Sequence, residues 1–280
     1  SNPDHLYVTD DYIVTHNTSQ AICTVNLMKR VKTGLIVCPA SLKRNWVREW
    51  KMWTIHKHLR VGIVTTETRD KLDRNGKPMR EEPKRKGLLG KKIKETVDVW
   101  PEDCDVYIIN KNLFDRHKER LTDPIWSFLI VDEAHEYCNE KNKTSQYIWG
   151  SPRKVKKADK IIAIAARKRI FLTGTPITTR PKNLWAFVKE LDPDGLGKDW
   201  FAFHERYCGG EKTHFGYYTD GATNLEELNA KLRAAFMVRR NKKEVLKDLP
   251  PKTREIILLP NDGLARDVER ELTNVRSFLD

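Results

Sequence analysis

The hydrophobic positions of this chain fall in short, dense, β-branched runs rather than long amphipathic stripes. GLIVC (34–38), VGIV (61–64), DVYII (105–109), FLIVD (128–132), IFLT (170–173) and EIILL (255–259) have the length and composition of strands buried on both faces. Between most of them lie helix-length stretches at 18–31, 41–52, 112–121, 155–168, 181–191 and 225–236, the last opened by Asn224 in the N-cap position with acidic residues behind it. Apolar strands alternating with helices predict a parallel sheet covered on both sides, a three-layer α/β fold. Segment 67–96 breaks the pattern. It is rich in Lys and Arg and contains Gly76, Pro78, Pro83, Gly87 and Gly90, so it is expected to be an exposed, mobile insertion, either a solvated charged loop or an arm that contacts phosphates. Residues 261–280 read as a helical connection that leads onward.

Composition narrows the class. At 280 residues and 39% hydrophobic content the chain can bury a real core, which excludes disorder throughout. Lys+Arg 52 against Asp+Glu 39 gives a net charge of +13, favouring a polyanionic partner. Cys23, Cys38, Cys104, Cys138 and Cys208 are scattered without a C-x-x-C pair, the pattern of free thiols in a reducing compartment and not of a disulfide scaffold or zinc ribbon. No apolar run approaches the roughly 18–20 residues of a membrane span, and the N-terminus lacks signal-peptide order, so a soluble, cytoplasmic protein is expected. Ser1 stands first in place of Met, as expected of a processed chain or a piece of a longer one.

Candidate chemistry gathers at strand ends. In LIVDEAHEYCN (129–139) an apolar strand delivers Asp132, Glu133, Ala134 and His135 to its C-terminal end, where ligands bind in open α/β sheets. An Asp beside a Glu suits nucleotide hydrolysis: the Asp orients Mg²⁺ and the Glu positions or deprotonates the attacking water. A second strand ends in Thr173, Gly174, Thr175 and Pro176, whose hydroxyls can sense that acidic site and relay it. Upstream, LIVCPASLKRNWVREW (35–50) sets Ser41, Lys43 and Asn45 just after a strand, types that grip nucleic-acid phosphates. Trp46 and Trp50, four residues apart, read as packing residues.

In order and spacing these segments resemble the Swi/Snf-like ATPases of helicase superfamily two, especially the annealing-helicase branch. The matching segments are motif Ia at CPASLKRNW (38–46), motif II at DEAH (132–135), motif III at LTGTPITTRP (172–181), and the block FMVRRNKKEVLKDLPPKTREI (236–256). The resemblance covers roughly 18–260 and implies a RecA-like lobe that hydrolyses ATP with Mg²⁺ and, with a second lobe absent here, translocates on double-stranded DNA. Glu136, Tyr137 and Cys138 depart from the basic residues usual in the family before the Asn, here Asn139. The Thr-Gly-Thr-Pro form of motif III disfavours an RNA helicase.

A P-loop ATPase needs G-x-x-x-x-G-K-[ST] at the start of its first helix. Here DDYIVTHN (10–17) precedes TSQAI (18–22), which is similar to the family's segment after the P-loop Lys, so the resemblance puts Thr18 at the Mg²⁺-ligating position and Gln20 beside the nucleotide. NPDHLYVTDDYIVTHN (2–17) resembles the C-terminal end of an intein, two short β-rich stretches closing on His-Asn before a hydroxyl residue. In that reading Asn17 cyclises, His16 assists at its carbonyl, Thr18 is the nucleophile that receives the upstream segment, and His5 is a second assisting histidine. The expected domains are therefore 1–17, an intein remnant needing an upstream intein and P-loop segment, 18–260, the ATPase lobe, and 261–280, a connection toward a second lobe. By itself the piece is expected to be inactive as an ATPase. The competing class is a non-catalytic DNA-binding module, because the P-loop Lys is missing.

Overall fold

The computed structural model describes residues 7–8, 14–15, 17–74, 77–80, 91–152, 156, 159–174, 180–214 and 216–239. The chain divides into one unit of Asn2–Val238 and another of Ser1 with Arg239–Asp280, and every described helix and strand belongs to the first. The strand expected at 255–259 and the helix expected at 261–280 lie outside the described residues, as do His5, His16 and Thr175.

A short antiparallel pair, β1 (Tyr7–Val8) and β2 (Val14–Thr15), comes first and forms a sheet of its own. Helix α1 (Thr18–Asn26), strand β3 (Gly34–Val37), helix α2 (Lys43–Trp53) and strand β4 (Val61–Ile63) come next. Strands β5 (Thr65–Asp70) and β6 (Lys94–Val99) form an antiparallel ribbon within the charged segment. Then come β7 (Val106–Ile109), α3 (Lys118–Thr122), β8 (Trp126–Val131), α4 (Lys143–Trp149) and β9 (Ala166–Phe171). The unit closes with α5 (Trp185–Leu191), α6 (Trp200–Tyr207), the hairpin β10 (Glu211–Thr213) and β11 (Gly216–Tyr218), and α7 (Leu225–Ala235).

The main sheet has the order β4-β7-β3-β8-β9 with every pairing parallel, so the expected α/β architecture is present. Strand alternation sends side chains to two cores. Leu35, Val37, Ile109, Leu129 and Val131 pack with Leu121, Tyr147, Ile148 and Phe187 on one face. Ile36, Ile108, Phe128 and Ile130 pack with Ala21, Ile22, Val25, Trp46 and Trp50 from α1 and α2 on the other. Gly34 is required on that second face, because a Cβ there would stand 2.0 Å from the Phe128 ring, itself stacked on Trp50 at 5.5 Å between centroids. A third cluster, with Val188, Phe203, Tyr207, Leu228 and Leu232, joins α5, α6 and α7.

Several expected elements change. The stretch 155–168 is not an α-helix where described: residues 161–165 run irregularly into β9. Ile161 and Ile164, spaced like a helix face, are both buried, yet the Ile161 N–H donates to Ser151 Oγ and the Ile164 N–H to the Tyr147 carbonyl, each at 2.8 Å. Their donors are thus taken by tertiary partners. The last strand begins earlier than IFLT suggests, because β8 pairs with it from Trp126↔Ala166 to Val131↔Phe171. Segment 112–121 breaks into two 3-10 turns and the short α3, and α4, α6 and the β10–β11 hairpin are additions. Asn224 precedes α7 in the left-handed region at φ 48°, but its side chain makes no capping bond and instead donates to the Arg206 carbonyl at 2.8 Å.

Candidate functional site

Strand β8 is buried at all six positions and delivers the acidic pair at the C-terminal end of the sheet. The Asp132 N–H continues the ladder to the Val37 carbonyl at 2.8 Å, so this residue still belongs to the strand. Glu133 then turns the chain with φ 48°, a left-handed conformation that costs a non-glycine residue about 1–3 kcal/mol and clusters at functional sites. A 3-10 turn over Ala134–Tyr137 comes after it, and the Ala134 N–H donates to the Leu172 carbonyl at 2.8 Å. That bond ties the acidic loop to the end of β9 and brings Thr173 beside His135.

Asp132 is only 6% exposed and both of its carboxylate oxygens are held. Oδ1 accepts from the Glu133 N–H at 3.0 Å, and Oδ2 accepts from Trp46 Nε1–H at 2.9 Å. Trp46, whose spacing marks it as a packing residue, is fully buried and also fixes this carboxylate. Nothing in the sequence marks that bond, which joins residues 86 positions apart. His135 Nδ1 lies 3.2 Å from Glu133 Oε2 and 3.1 Å from Thr173 Oγ1. An Nδ1–H can donate to either oxygen, and a bare Nδ1 can accept from the Thr173 hydroxyl. Burial, with Asp132 nearby, pushes the Cys38 thiol well above its ordinary range, which keeps it an inert core group. The Tyr137 hydroxyl is pushed up by burial as well.

The motif Ia residues separate. Ser41 is exposed in a 3-10 turn over Ala40–Leu42, and Asn45 is half-buried with its Oδ1 accepting from Arg48 Nη2 at 2.6 Å. Lys43 does not present its ammonium to solvent as a phosphate contact requires. It is buried, donates to the Val64 carbonyl at 2.7 Å, and burial lowers its pKa. The exposed cations of α2 are instead Arg44, Arg48 and Lys51, which the motif does not single out although their spacing of four and three residues puts them on one helix face.

At the N-terminal side, Thr18 is 2% exposed at the first position of α1, and Gln20 is exposed within the first turn. Asn17 precedes the helix; its carbonyl accepts the Ala21 N–H at 3.1 Å, while its side chain makes no capping bond. Asp132 and Glu133 are adjacent carboxylates at one strand end, a sparse oxygen donor set of the kind that fits Mg²⁺ carrying nucleotide phosphates and water better than an all-protein cage. Among the described residues no group of three or more His, Cys, Asp or Glu could hold a metal, and no helix is long and apolar enough to cross a membrane.

Comparison with known proteins adds the lineage. The SWI/SNF-related matrix-associated actin-dependent regulator of chromatin subfamily A-like protein 1 of Drosophila melanogaster is 32% identical over 157 residues, covering 56% of this chain and 19% of that protein. The human DNA annealing helicase and endonuclease ZRANB3 is 30% identical over 244 residues, covering 86% of this chain and 19% of its own length. This chain thus spans about a fifth of each of these curated relatives. A solved Sulfolobus solfataricus SWI2/SNF2 ATPase core in complex with dsDNA aligns with TM-score 0.48 at 23% identity, over 83% of this chain and 38% of that one. The SNF2-related domain matches residues 16–268, most of the sequence, and the chain belongs to that family.

Proposed function

We propose that residues 18–260 are the first RecA-like lobe of an ATP-dependent DNA translocase, completed by a second such lobe and by a P-loop that is joined to Thr18 through protein splicing. The observation that carries the ATPase reading is the acidic pair at the end of a fully buried central strand, with Asp132 locked by Trp46 and the backbone and His135 within reach of both Glu133 and Thr173. In this reading Asp132 and Thr18 hold Mg²⁺ with the nucleotide, Gln20 lies beside it, and Glu133 orients the attacking water. Thr173 and Thr175 report the state of that site to the DNA surface, which Ser41 and Asn45 share with Arg44 and Arg48. Bound Mg²⁺ supplies charge neutralisation on the phosphates. Duplex DNA as partner is supported by the annealing-helicase relatives and by the +13 net charge.

The splicing reading is supported by where the family match starts, at residue 16, and by the β1–β2 pair, which stays apart from the main sheet. The Asn17 side-chain nitrogen attacks its own carbonyl carbon, the bond to Thr18 breaks, and a succinimide leaves on the upstream side while Thr18 keeps its amine. His16 and His5 assist at that carbonyl. Scarless removal leaves Thr18 free to serve the P-loop.

Supplying the upstream intein and Gly-Lys segment in trans, with the second lobe, tests both readings. Mass spectrometry is expected to find a peptide joining that Lys directly to Thr18, and Asn17→Ala is expected to abolish it; spliced product from Asn17→Ala overturns the splicing reading. In the spliced protein Glu133→Gln is expected to bind ATP and lose turnover by orders of magnitude, as loss of a water-orienting group does. A spliced, folded protein that binds duplex but never hydrolyses ATP points instead to a non-catalytic DNA-binding module.

A further inference from the structure

Among residues 65–99, the described stretches 65–74, 77–80 and 91–99 form a built projection with a separation of charge along its length. Strands β5 and β6 pair over six registers, Thr65↔Val99 to Asp70↔Lys94, a ribbon about 20 Å long at the usual rise per residue. Beyond it the backbone closes on itself, with Lys71 N–H to the Ile93 carbonyl at 2.8 Å, Met79 N–H to the Lys71 carbonyl at 2.7 Å and Ile93 N–H to the Met79 carbonyl at 2.9 Å. Two strands alone are marginal in water, so the root must hold them. Lys43 Nζ pins the Val64 carbonyl just before β5; Arg116 binds Asp98 at 2.9 Å; and Trp100, after β6, packs on Tyr107 and His117 at 4.8 and 5.1 Å between centroids.

Along the ribbon itself, Glu67, Asp70, Glu95 and Asp98 outnumber Arg69 and Lys94. The described residues past it carry Lys71, Arg74, Lys77, Arg80, Lys91 and Lys92 against Asp73 alone, and all six cations are exposed. Lys92 reaches back to Asp70 of the ribbon at 2.5 Å, and apart from Asp73 the remaining charge of these described distal residues is of one sign. The arm also springs from the C-terminal end of β4, the sheet edge that carries Ser41 after β3 and the acidic pair after β8. Lys43 therefore links the root of the arm to the helix that presents Arg44 and Arg48.

We propose that this arm is a second duplex-DNA contact of the chain, its distal cations binding backbone phosphates alongside the motif Ia surface, and that Lys43 serves as its anchor. The inference rests on the DNA-translocase reading. The partner is the phosphate backbone, the group whose charge exposed Lys and Arg neutralise.

The test uses the 280-residue chain and a fluorescent random-sequence duplex, titrated from low to moderate salt, against a Lys71→Gln, Arg74→Gln, Lys77→Gln, Lys91→Gln variant. Because log affinity falls with log salt at about −0.9 per phosphate neutralised, removing four cations is expected to take up to about 3.6 from the slope and on the order of tenfold or more from the affinity at low salt. Exposed Lys and Arg to Gln changes leave the core intact, and matched thermal unfolding confirms it. A second variant, Lys43→Met, keeps every distal cation and is expected to give an intermediate loss, as the arm comes free of its root. If the intact chain binds duplex and the four-site variant matches it in affinity and slope, the arm proposal is overturned while the DNA reading stands. If the intact chain binds no duplex even at low salt, both fall. Arm-dependent binding of polyglutamate as tight as that of duplex overturns the DNA assignment in favour of an acidic protein partner.

Discussion

Two tryptophans one helical turn apart carry different duties. Trp46 and Trp50 are both buried in the same core, but only Trp46 has a partner for its indole N–H, the Asp132 carboxylate. Trp50 Nε1 has none among the described residues, and its ring instead stacks on Phe128. Replacing each by Phe creates a similar cavity, whereas only Trp46→Phe also breaks a bond to an ionised group, worth about 1.5–3 kcal/mol. Urea unfolding of the two variants is expected to show Trp46→Phe as the less stable by that margin. Equal losses would mean that the bond to Asp132 contributes nothing. In the proposed ATPase, Trp46→Phe is further expected to need more Mg²⁺ for half-maximal turnover, because the carboxylate is no longer held in one orientation.

At the scale of elements, the α6–α7 clasp shows how charges close a small helical layer. Glu227 on α7 accepts from Arg206 and, at 2.9 Å, from the Tyr207 hydroxyl of α6, and pairs with Lys231 one turn on at 3.0 Å. Hydrogen bonds from Arg206, then from Lys231 and Tyr207, lower its pKa to about 2. The folded-state value lies below the unfolded one, so the clasp stabilises fully above the ordinary glutamate range and its contribution fades as pH falls toward about 2. Glu227→Gln is therefore expected to lower the melting temperature at neutral pH, with the gap to the parent closing as the pH is taken from about 5 to about 2.5. A gap that stays constant would show that charge is not what the clasp uses. Asp220, lowered to about 2 by Arg180 and then Lys182, joins the end of motif III to the loop before α7 in the same way.

For the molecule as a whole, the bond between His135 and Thr173 joins two strand ends that, in the proposed mechanism, answer to different ligands, nucleotide at β8 and DNA beyond β9. Thr173→Val keeps the shape of the side chain and removes the hydroxyl. In the spliced, two-lobed protein it is expected to leave basal hydrolysis within a few-fold and to bring the duplex-stimulated rate down toward the basal one, measured as phosphate release with and without DNA. Retained stimulation would move the relay elsewhere, with Thr175 the next candidate. The strand order, the acidic turn and this relay all lie in the unit Asn2–Val238.

What the sequence alone determined is what local pattern and motif carry. Five of the expected strands are strands because a dense β-branched run has few other ways to bury itself, and the DEAH loop stands at a strand end because the apolar run stops there. The tertiary structure decided whatever depended on a distant partner. Ile161 and Ile164 have helical spacing, yet Ser151 and Tyr147 claimed their backbone donors and β8 drew the chain into a strand just beyond them. Lys43 looks like a phosphate contact but points inward, because Val64 offers a carbonyl and α2 buries that face. The two ends of the charged insertion pair as a ribbon over Thr65–Asp70 and Lys94–Val99, since cross-strand pairing and a packed root stabilise strands that propensity alone would not. Trp46 shows the limit most plainly: its apolar spacing places it in the core, while its hydrogen bond needs an acceptor 86 residues away that only the stacking of α2 on the sheet brings within 2.9 Å.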